Sequence, residues 1–325
     1  MSEPAGMIYL ASFLAPLAEW LARPEVTDLY INRPGELWVE RQGTPPERIE
    51  APELTRDLLA RLVRQVAAAS AQGVNREHPL LAASLPGGER VQVAIPPATR
   101  GEIAVAIRKH TIAGLSLDDY AEAGAFAATS LTHGDDELRA RPPLDPAVGP
   151  AEILRRAVRE RRNILISGGT ASGKTTFLNT LLAEIPLGER LVLIEDTPEL
   201  QLDHANAVGL IAPRGDLGEA RIDADDLLTA ALRLRPDRII LGEIRGKEAM
   251  SFLRAVNTGH PGSLSSIHAD SPPRAIDQLA LLVMQAGTRM NWDDVVTYVR
   301  RSLDVIVQLQ YRAGKRSIER VHLVD

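Results

Sequence analysis

The chain has 325 residues and a formal net charge of −6, and it contains no cysteine. At about 150 residues per domain this length predicts two domains, and the lack of cysteine excludes a disulfide framework and thiolate metal sites. Hydrophobic residues make up 45% of the chain but aromatic residues only 4%, which favours helices on a parallel sheet over a β-sandwich. Because nucleic-acid binders usually have a basic domain, we expect no direct nucleic-acid binding.

The N-terminal segment predicts an amphipathic helix, because apolar residues recur there at helical spacing: Leu10, Phe13, Leu14, Leu17 and Leu21. Pro16 and Glu19 interrupt this apolar part, and Glu3 stands where a signal peptide has Lys or Arg. No window holds the ~20 continuous apolar residues of a membrane-spanning helix. We favour a helix docked on its own domain over one lying on a membrane surface.

The first part of the chain predicts an α+β domain. Short strands at 29–32 and 37–40, with Arg33-Pro34-Gly35 between them, indicate a hairpin, and a helix is expected at 52–71. Further along, apolar residues alternate with other residues in two runs: Val91, Val93, Ile95, and Ile103, Val105, Ile107. A period of two predicts an antiparallel sheet with one face buried.

Charge, proline and glycine concentrate at residues 131–150, where periodicity is lost. We interpret this stretch as the linker region. The predicted domains are therefore residues 1–140, including the start of the linker, and residues 141–325.

The second part alternates strands and helices. The apolar runs predict strands at 163–167, 191–196, 238–242 and 264–268, and helices at 175–184, 224–233 and 249–258. Apolar runs separated by helices predict a parallel sheet buried on both faces. The chain is expected to end in a hairpin around Ala313-Gly314.

The stretch ISGGTASGKTTFLN matches G-x-x-x-x-G-K-[ST], and a predicted strand precedes it while a predicted helix follows it. Glycines let the backbone wrap so that N–H groups point at phosphate oxygens, and the helix start adds its free N–H groups. Lys174 is expected to contact the β- and γ-phosphates, and the Thr175 hydroxyl to ligate Mg²⁺. The strand and helix disfavour the alternative of a chance Gly-rich turn. The predicted nucleotide-binding residues of this loop are Gly168, Gly169, Thr170, Ala171, Ser172, Gly173, Lys174, Thr175 and Thr176.

Carboxylates follow two of the predicted strands. Glu195 and Asp196 end the predicted strand in LVLIEDTPEL. Ligands bind at the carboxyl ends of parallel strands, so these carboxylates either act on the attacking water or cap the segment at Pro198. Glu243 ends a Walker B-like strand in RPDRIILGEIRG, and it either holds Mg²⁺ or activates water. We expect Arg245 either to reach phosphate or to form a surface ion pair.

Two histidines lie in NTGHPGSLSSIHADSPPRA, at positions 260 and 268. Their spacing does not suit a helical metal pair, and such histidines are ordinarily structural. His268 nevertheless ends a predicted strand of the same sheet, where it would sense the γ-phosphate.

These motifs resemble those of the secretion ATPases, which serve type II secretion, type IV secretion and type IV pili, and in particular the VirB11 family. The resemblance rests on the order of the GGTASGKT, EDTPEL, LGEIRG and TGHPGSLSSIHAD segments, and on YINRPGELWVE and LPGGERVQVAIPP earlier in the chain. It implies an α/β protein with a C-terminal RecA-like P-loop NTPase core and a smaller N-terminal α+β (PAS-like) domain.

The resemblance also implies an ATPase whose cofactors are ATP and Mg²⁺, with Lys174, Glu195, Glu243 and His268 as catalytic residues. Arg90 and Arg108 match the N-terminal arginines that reach the nucleotide in that family, although Arg90 also fits a solvated edge arginine. The family forms a ring of six subunits and moves substrates or assembles pili. It acts in the cytoplasm with other secretion components, at the inner face of the inner membrane.

Other functions are compatible with parts of the sequence but are disfavoured by other parts. Type II secretion ATPases commonly carry a four-cysteine zinc module, which is absent here, and no AIRNLI-type tail of pilus-retraction motors follows the histidine segment. A RecA-type nucleic-acid motor is disfavoured by the acidic balance. A nucleotide-gated scaffold is disfavoured by the presence of both Glu195 and Glu243, and a small-molecule kinase by the lack of an evident lid.

Overall fold

The computed structural model describes residues 5–109, 116–122, 124–127, 129, 144–212 and 219–324. The N-terminal domain contains a six-stranded sheet made of β1 (Val26–Ile31), β2 (Gly35–Arg41), β3 (Glu47–Ala51), β4 (Leu80–Ser84), β5 (Arg90–Ala94) and β6 (Ala104–Arg108). Its order is β3-β2-β1-β6-β5-β4, and every neighbouring pair is antiparallel. The predicted hairpin and the predicted antiparallel sheet are both confirmed, while β3 was not predicted.

Two helices, α1 (Ala5–Ala22) and α2 (Arg56–Ala69), pack on this sheet. Leu10 and Leu17 of α1 are fully buried in the same cluster as the apolar residues of α2 and of the strands. Thr55 caps α2 by accepting a hydrogen bond from the Leu58 N–H, which satisfies one of the free donors at a helix start. The expectation of a helix docked on its own domain is confirmed.

The expectation that this sheet buries only one face is wrong. Val93 and Val105 face α1 and α2, whereas Tyr30, Ala94 and Ala106, which point the other way, belong to the core of the C-terminal domain. The small alanines on this second face allow the two domains to pack closely. Alternation along a strand identifies the larger residues of one face, but it does not reveal that a second domain covers the other face.

The C-terminal domain contains a seven-stranded sheet made of β7 (Ile164–Gly168), β8 (Leu191–Glu195), β9 (Ala207–Ile211), β10 (Arg238–Leu241), β11 (Leu264–Ile267), β12 (Val305–Arg312) and β13 (Lys315–Leu323). Its order is β13-β12-β7-β11-β10-β8-β9. All neighbouring pairs are parallel except the terminal hairpin of β12 and β13. Each predicted strand and the predicted terminal hairpin are confirmed.

The remaining helices are α3 (Leu117–Glu122), α4 (Pro150–Arg159), α5 (Lys174–Leu182), α6 (Ala224–Arg233), α7 (Glu248–Asn257), α8 (Pro272–Gln285) and α9 (Trp292–Ser302). Apolar residues of α4 and α5 cover one face of the second sheet, and those of α6 to α9 cover the other. This confirms a sheet buried on both faces. No strand was predicted at β9, and no helix was predicted at α4, α8 or α9.

The two domains are joined by backbone pairing as well as by packing. The segment between β5 and β6 lies along β9: Ile211 donates to the Ala98 carbonyl at 2.9 Å, and Arg100 donates to the Gly209 carbonyl at 2.8 Å. The sheet edge at β9 is therefore covered rather than open. Most of the predicted linker, residues 131–143 of 131–150, lies outside the described residues, so the predicted boundary at 140 stays a prediction.

Arg190 strengthens this junction from inside. It is almost fully buried and lies over the Tyr30 ring, with its guanidinium carbon 4.1 Å from the ring centre. It donates to the Asn32 side-chain oxygen at 2.9 Å and to the Leu234 carbonyl at 2.9 Å. Burial lowers the pKa of Arg190 to about 10, so the side chain remains charged at neutral pH.

In the part of the chain that the structure describes, no helix has the length and apolar character needed to cross a membrane.

Candidate active site

The glycine-rich loop leaves β7 and enters α5 at Lys174. Ala171 and Gly173 adopt left-handed backbone conformations, with φ of 61° and 93°, and these turn the chain back over the end of the sheet. At Gly168, an added Cβ would lie 2.5 Å from the Ser172 hydroxyl and 3.0 Å from the Leu309 carbonyl. Glycine is required at Gly168 because the loop and β12 approach too closely for any side chain.

A cavity of about 520 Å³ opens over this loop. Loop residues 170–176 line one wall, and the ends of β8, β10 and β11 supply polar side chains to the rest. The further lining residues include Glu195, Asp196, Glu199, Glu243, Arg245, His268 and Arg316. The structure thus brings the four predicted catalytic residues and most of the predicted loop residues together in one cavity.

Lys174 lies at the centre of the loop. Its Nζ donates to the Gly168 carbonyl at 3.0 Å and lies 3.2 Å from Nδ1 of His268. Glu243 lies 3.7 Å away and forms an ion pair with it. Burial lowers the pKa of Lys174, and the nearby Glu243 carboxylate partly opposes that shift. An anion with more charge than one carboxylate would therefore favour the protonated amine further.

Glu243 contacts several basic side chains around the cavity. Its Oε1 lies 2.9 Å from Nε2 of His268, and its other oxygen contacts the Arg245 guanidinium. Arg245 also reaches Asp196 at 3.2 Å. From the sequence, Arg245 was expected either to bind phosphate or to form a surface ion pair. In this structure it forms ion pairs with two carboxylates of the cavity.

Glu195 is almost fully buried. Its Oε1 accepts hydrogen bonds from the Glu199 N–H at 2.9 Å and the Leu200 N–H at 2.7 Å. Its Oε2 contacts the guanidinium of Arg100, which comes from the N-terminal domain. Glu195, rather than Asp196, therefore holds the turn that follows β8.

Arg100 was not predicted from the sequence. Its Nη1 donates to the Leu200 carbonyl at 2.8 Å, so it holds the same turn as Glu195. Burial lowers the pKa of Arg100. The sequence offers no strong signal for this residue, because its neighbours Thr99 and Gly101 resemble those of an ordinary surface turn.

Arg90 and Arg108 lie elsewhere in this chain. They face each other on β5 and β6 and line a separate cavity of about 540 Å³, together with Leu232 and Arg233 of α6. Arg108 forms an ion pair with Asp28 at 3.1 Å. A single chain does not bring these arginines to the glycine-rich loop, so their contact with nucleotide stays a prediction.

His260 lies outside the 520 Å³ cavity, and its Nδ1 is 3.3 Å from the Ala255 carbonyl at the end of α7. Among the described residues, no group of three or more His, Asp or Glu side chains is arranged to hold a metal ion by itself. Thr175 and Glu243 do line the same cavity. Their hydroxyl and carboxylate are hard oxygen ligands of the kind that Mg²⁺ takes when phosphate supplies others.

Comparison with known proteins gives a consistent result. Residues 146–317 match the family described as "Type II/IV secretion system protein". The VirB11 protein of Brucella suis is 39% identical over 307 residues, covering 91% of this chain and 84% of that protein. PtlH of Bordetella pertussis, a type IV secretion system protein, is 40% identical and covers 95% of this chain and 92% of that protein. The chain belongs to the VirB11 family of type IV secretion ATPases.

The fold agrees with that assignment. The crystal structure of the Brucella suis VirB11 ATPase in complex with sulphate is 35% identical, with a TM-score of 0.89, and covers 98% of this chain and 95% of that one. The similarity includes both domains, so the N-terminal α+β domain is part of the VirB11 fold and not an unrelated addition.

Proposed function

We propose that this chain is the ATP-hydrolysing motor of a type IV secretion system, and that it acts as a homo-hexamer which powers substrate translocation, pilus assembly or both. The observation that carries the proposal is the convergence of Lys174, Glu243 and His268 in one cavity over the glycine-rich loop. A triphosphate fits this cavity because N–H groups of the loop and the start of α5 face one wall. The facing carboxylates suit a metal-bound γ-phosphate.

Residues 168–176 would supply backbone donors to the phosphates, and Lys174 would contact the β- and γ-phosphates. Thr175 and Glu243 would hold Mg²⁺, which supplies charge neutralisation at the phosphate oxygens when bound. His268 lies within hydrogen-bond distance of both Lys174 and Glu243, so it would register whether the γ-phosphate is present.

The two acidic residues have different surroundings. Glu195 already accepts two backbone hydrogen bonds and contacts Arg100, which leaves it little freedom to move towards a water molecule. Glu243 lies beside Lys174 and His268. We therefore assign the orientation of the attacking water to Glu243, in addition to its share of the Mg²⁺ site, and the shaping of the cavity wall to Glu195.

Arg90 and Arg108 would reach a nucleotide only from another subunit, or after the domains move relative to one another. The proposed hexameric ring would provide such neighbours, and the two arginines would then act between subunits. The loss of γ-phosphate contacts would then release one domain from the other, which is how hydrolysis drives motion in such a motor. We place the ring in the cytoplasm, at the inner face of the inner membrane, bound to other secretion components.

ATP turnover by the Lys174→Ala variant tests this proposal. The expected result is a loss of Mg-dependent turnover by at least about a hundredfold, since the loop lysine contacts the transferred phosphate. Lys247→Ala is the matched control, because Lys247 is exposed and pairs with Asp223 outside the cavity; it should hydrolyse ATP at the wild-type rate. Wild-type turnover by Lys174→Ala would contradict the proposal.

A further inference from the structure

Arg316 lies on the glycine-rich loop although no recognised motif contains it. It belongs to β13, and its Nε donates to the Ala171 carbonyl at 3.1 Å. A Cβ placed on Gly173 would lie 3.2 Å from Cδ of Arg316, so the aliphatic part of the side chain packs against the loop. The side chain also lines the 520 Å³ cavity.

The strand order decides which part of that cavity Arg316 reaches. β12 lies beside β7, on the side away from β11, β10 and β8. β12 is paired with β7 up to Leu309 and Gly168, and the hairpin then continues beyond the end of the sheet. Arg316 therefore approaches the loop from the flank opposite His268, Glu243 and Glu195.

This flank differs in charge from the other. Glu243 and Asp196 neutralise Arg245 on the carboxylate side. Within the described ranges, no carboxylate lies close enough to form an ion pair with Arg316. Its hydrogen bond to Ala171 uses Nε, and a guanidinium has further donors on Nη1 and Nη2. The side chain thus brings a positive charge and directed donors to the edge of a phosphate-binding loop.

We propose that Arg316 binds the nucleoside monophosphate half of the nucleotide, with its guanidinium at the α-phosphate. This inference rests on the proposed placement of nucleotide in the 520 Å³ cavity. Glu243, His268 and Lys174 mark the γ-phosphate side, so the α-phosphate and the nucleoside lie towards the opposite flank. ATP and ADP share that half, and Arg316 therefore contributes equally to the binding of both.

A contact that is the same in the ground state and the transition state raises KM when it is lost but leaves kcat unchanged. For Arg316→Ala we expect the ADP dissociation constant and the KM for ATP each to rise about tenfold, as for one charge-assisted hydrogen bond, with kcat within about twofold of wild type. Arg320→Ala, four residues further along the same strand and outside the cavity, is the matched control and should leave all three values unchanged.

Fluorescent ADP titration and steady-state ATP turnover measure these quantities on the full-length protein. Unchanged ADP affinity in Arg316→Ala, or a loss of kcat without a change in KM, would overturn the inference. ADP binding by Lys174→Ala distinguishes a wrong inference about Arg316 from a wrong proposed function. If wild type binds ADP and Lys174→Ala does not, the cavity is the nucleotide site, and the Arg316 variant alone decides the role of Arg316.

Discussion

Replacing Arg100 with alanine should weaken the junction between the domains. Arg100 contacts the buried Glu195 carboxylate and donates to the Leu200 carbonyl, and its backbone pairs with Gly209 of β9. The backbone hydrogen bond survives the substitution, whereas Glu195 Oε2 and the Leu200 carbonyl lose their partner. The predicted loss therefore comes from the side chain alone.

The magnitude follows from burial. Removing one partner of a buried ion pair costs about 3–5 kcal/mol, and leaving a buried acceptor unpaired costs about 1–3 kcal/mol. The side chain of Glu195 is 4% exposed but that of Arg100 is 17% exposed, so water reaches the pair from one side. We expect a decrease of about 2–3 kcal/mol in the free energy of unfolding.

Urea unfolding followed by circular dichroism provides the assay. Arg56→Ala is the matched control: Arg56 pairs with Glu102 at 3.4 Å, but the side chains are 76% and 50% exposed, and such surface pairs contribute less than about 1 kcal/mol. If both variants lose the same free energy, or if Arg100→Ala unfolds at the wild-type midpoint, then Arg100 does not join the domains as described.

Three further predictions concern other parts of the molecule. Glu243→Gln should lower kcat by about 10²–10⁴ while ATP still binds, and a rate within threefold of wild type would refute its role in orienting water. Burial lowers the pKa of His260 below its ordinary 6.5, so the unfolded chain binds the proton more readily and stability is lost as pH falls below about 6.5. His260→Gln should therefore flatten the dependence of the unfolding free energy on pH between about 7 and 5. An unchanged slope would rule out this role of His260. Leu17→Ala should cost about 2–5 kcal/mol of unfolding free energy, because Leu17 is 0% exposed. Leu187→Ala, at a position that is 72% exposed, should cost little. Equal effects of the two substitutions would show that α1 is not packed on the N-terminal domain.

The sequence predicted the features that depend on local chain properties. The glycine-rich loop is recognisable because its spacing, the preceding apolar strand and the following helix are all contiguous in the chain. β8, which ends at Glu195, and β10, which ends two residues before Glu243, are recognisable for the same reason, since each is a short apolar run that leads into a carboxylate. Parallel strands place such ends at one edge of the sheet, and this is why the main catalytic candidates were found together.

Arg100 and Arg316 could not be found in this way, because their positions depend on contacts between distant segments. Arg100 reaches Glu195 only because the segment after β5 pairs with β9, and β9 itself is a short run interrupted by Gly209. Arg316 reaches the loop only because β12 lies beside β7. Alternation of apolar residues predicts which face of a strand is buried, but it does not predict which strand will be its neighbour.

A structure of the chain with Mg²⁺ and a non-hydrolysable ATP analogue would test the central claim most directly. We expect the phosphates to lie against residues 168–176, with Nζ of Lys174 within about 2.7–3.2 Å of a β- or γ-phosphate oxygen, and with Glu243 on the γ-phosphate side. Phosphates that lay outside the 520 Å³ cavity at saturating analogue, or that made no contact with the glycine-rich loop, would contradict the proposed motor function.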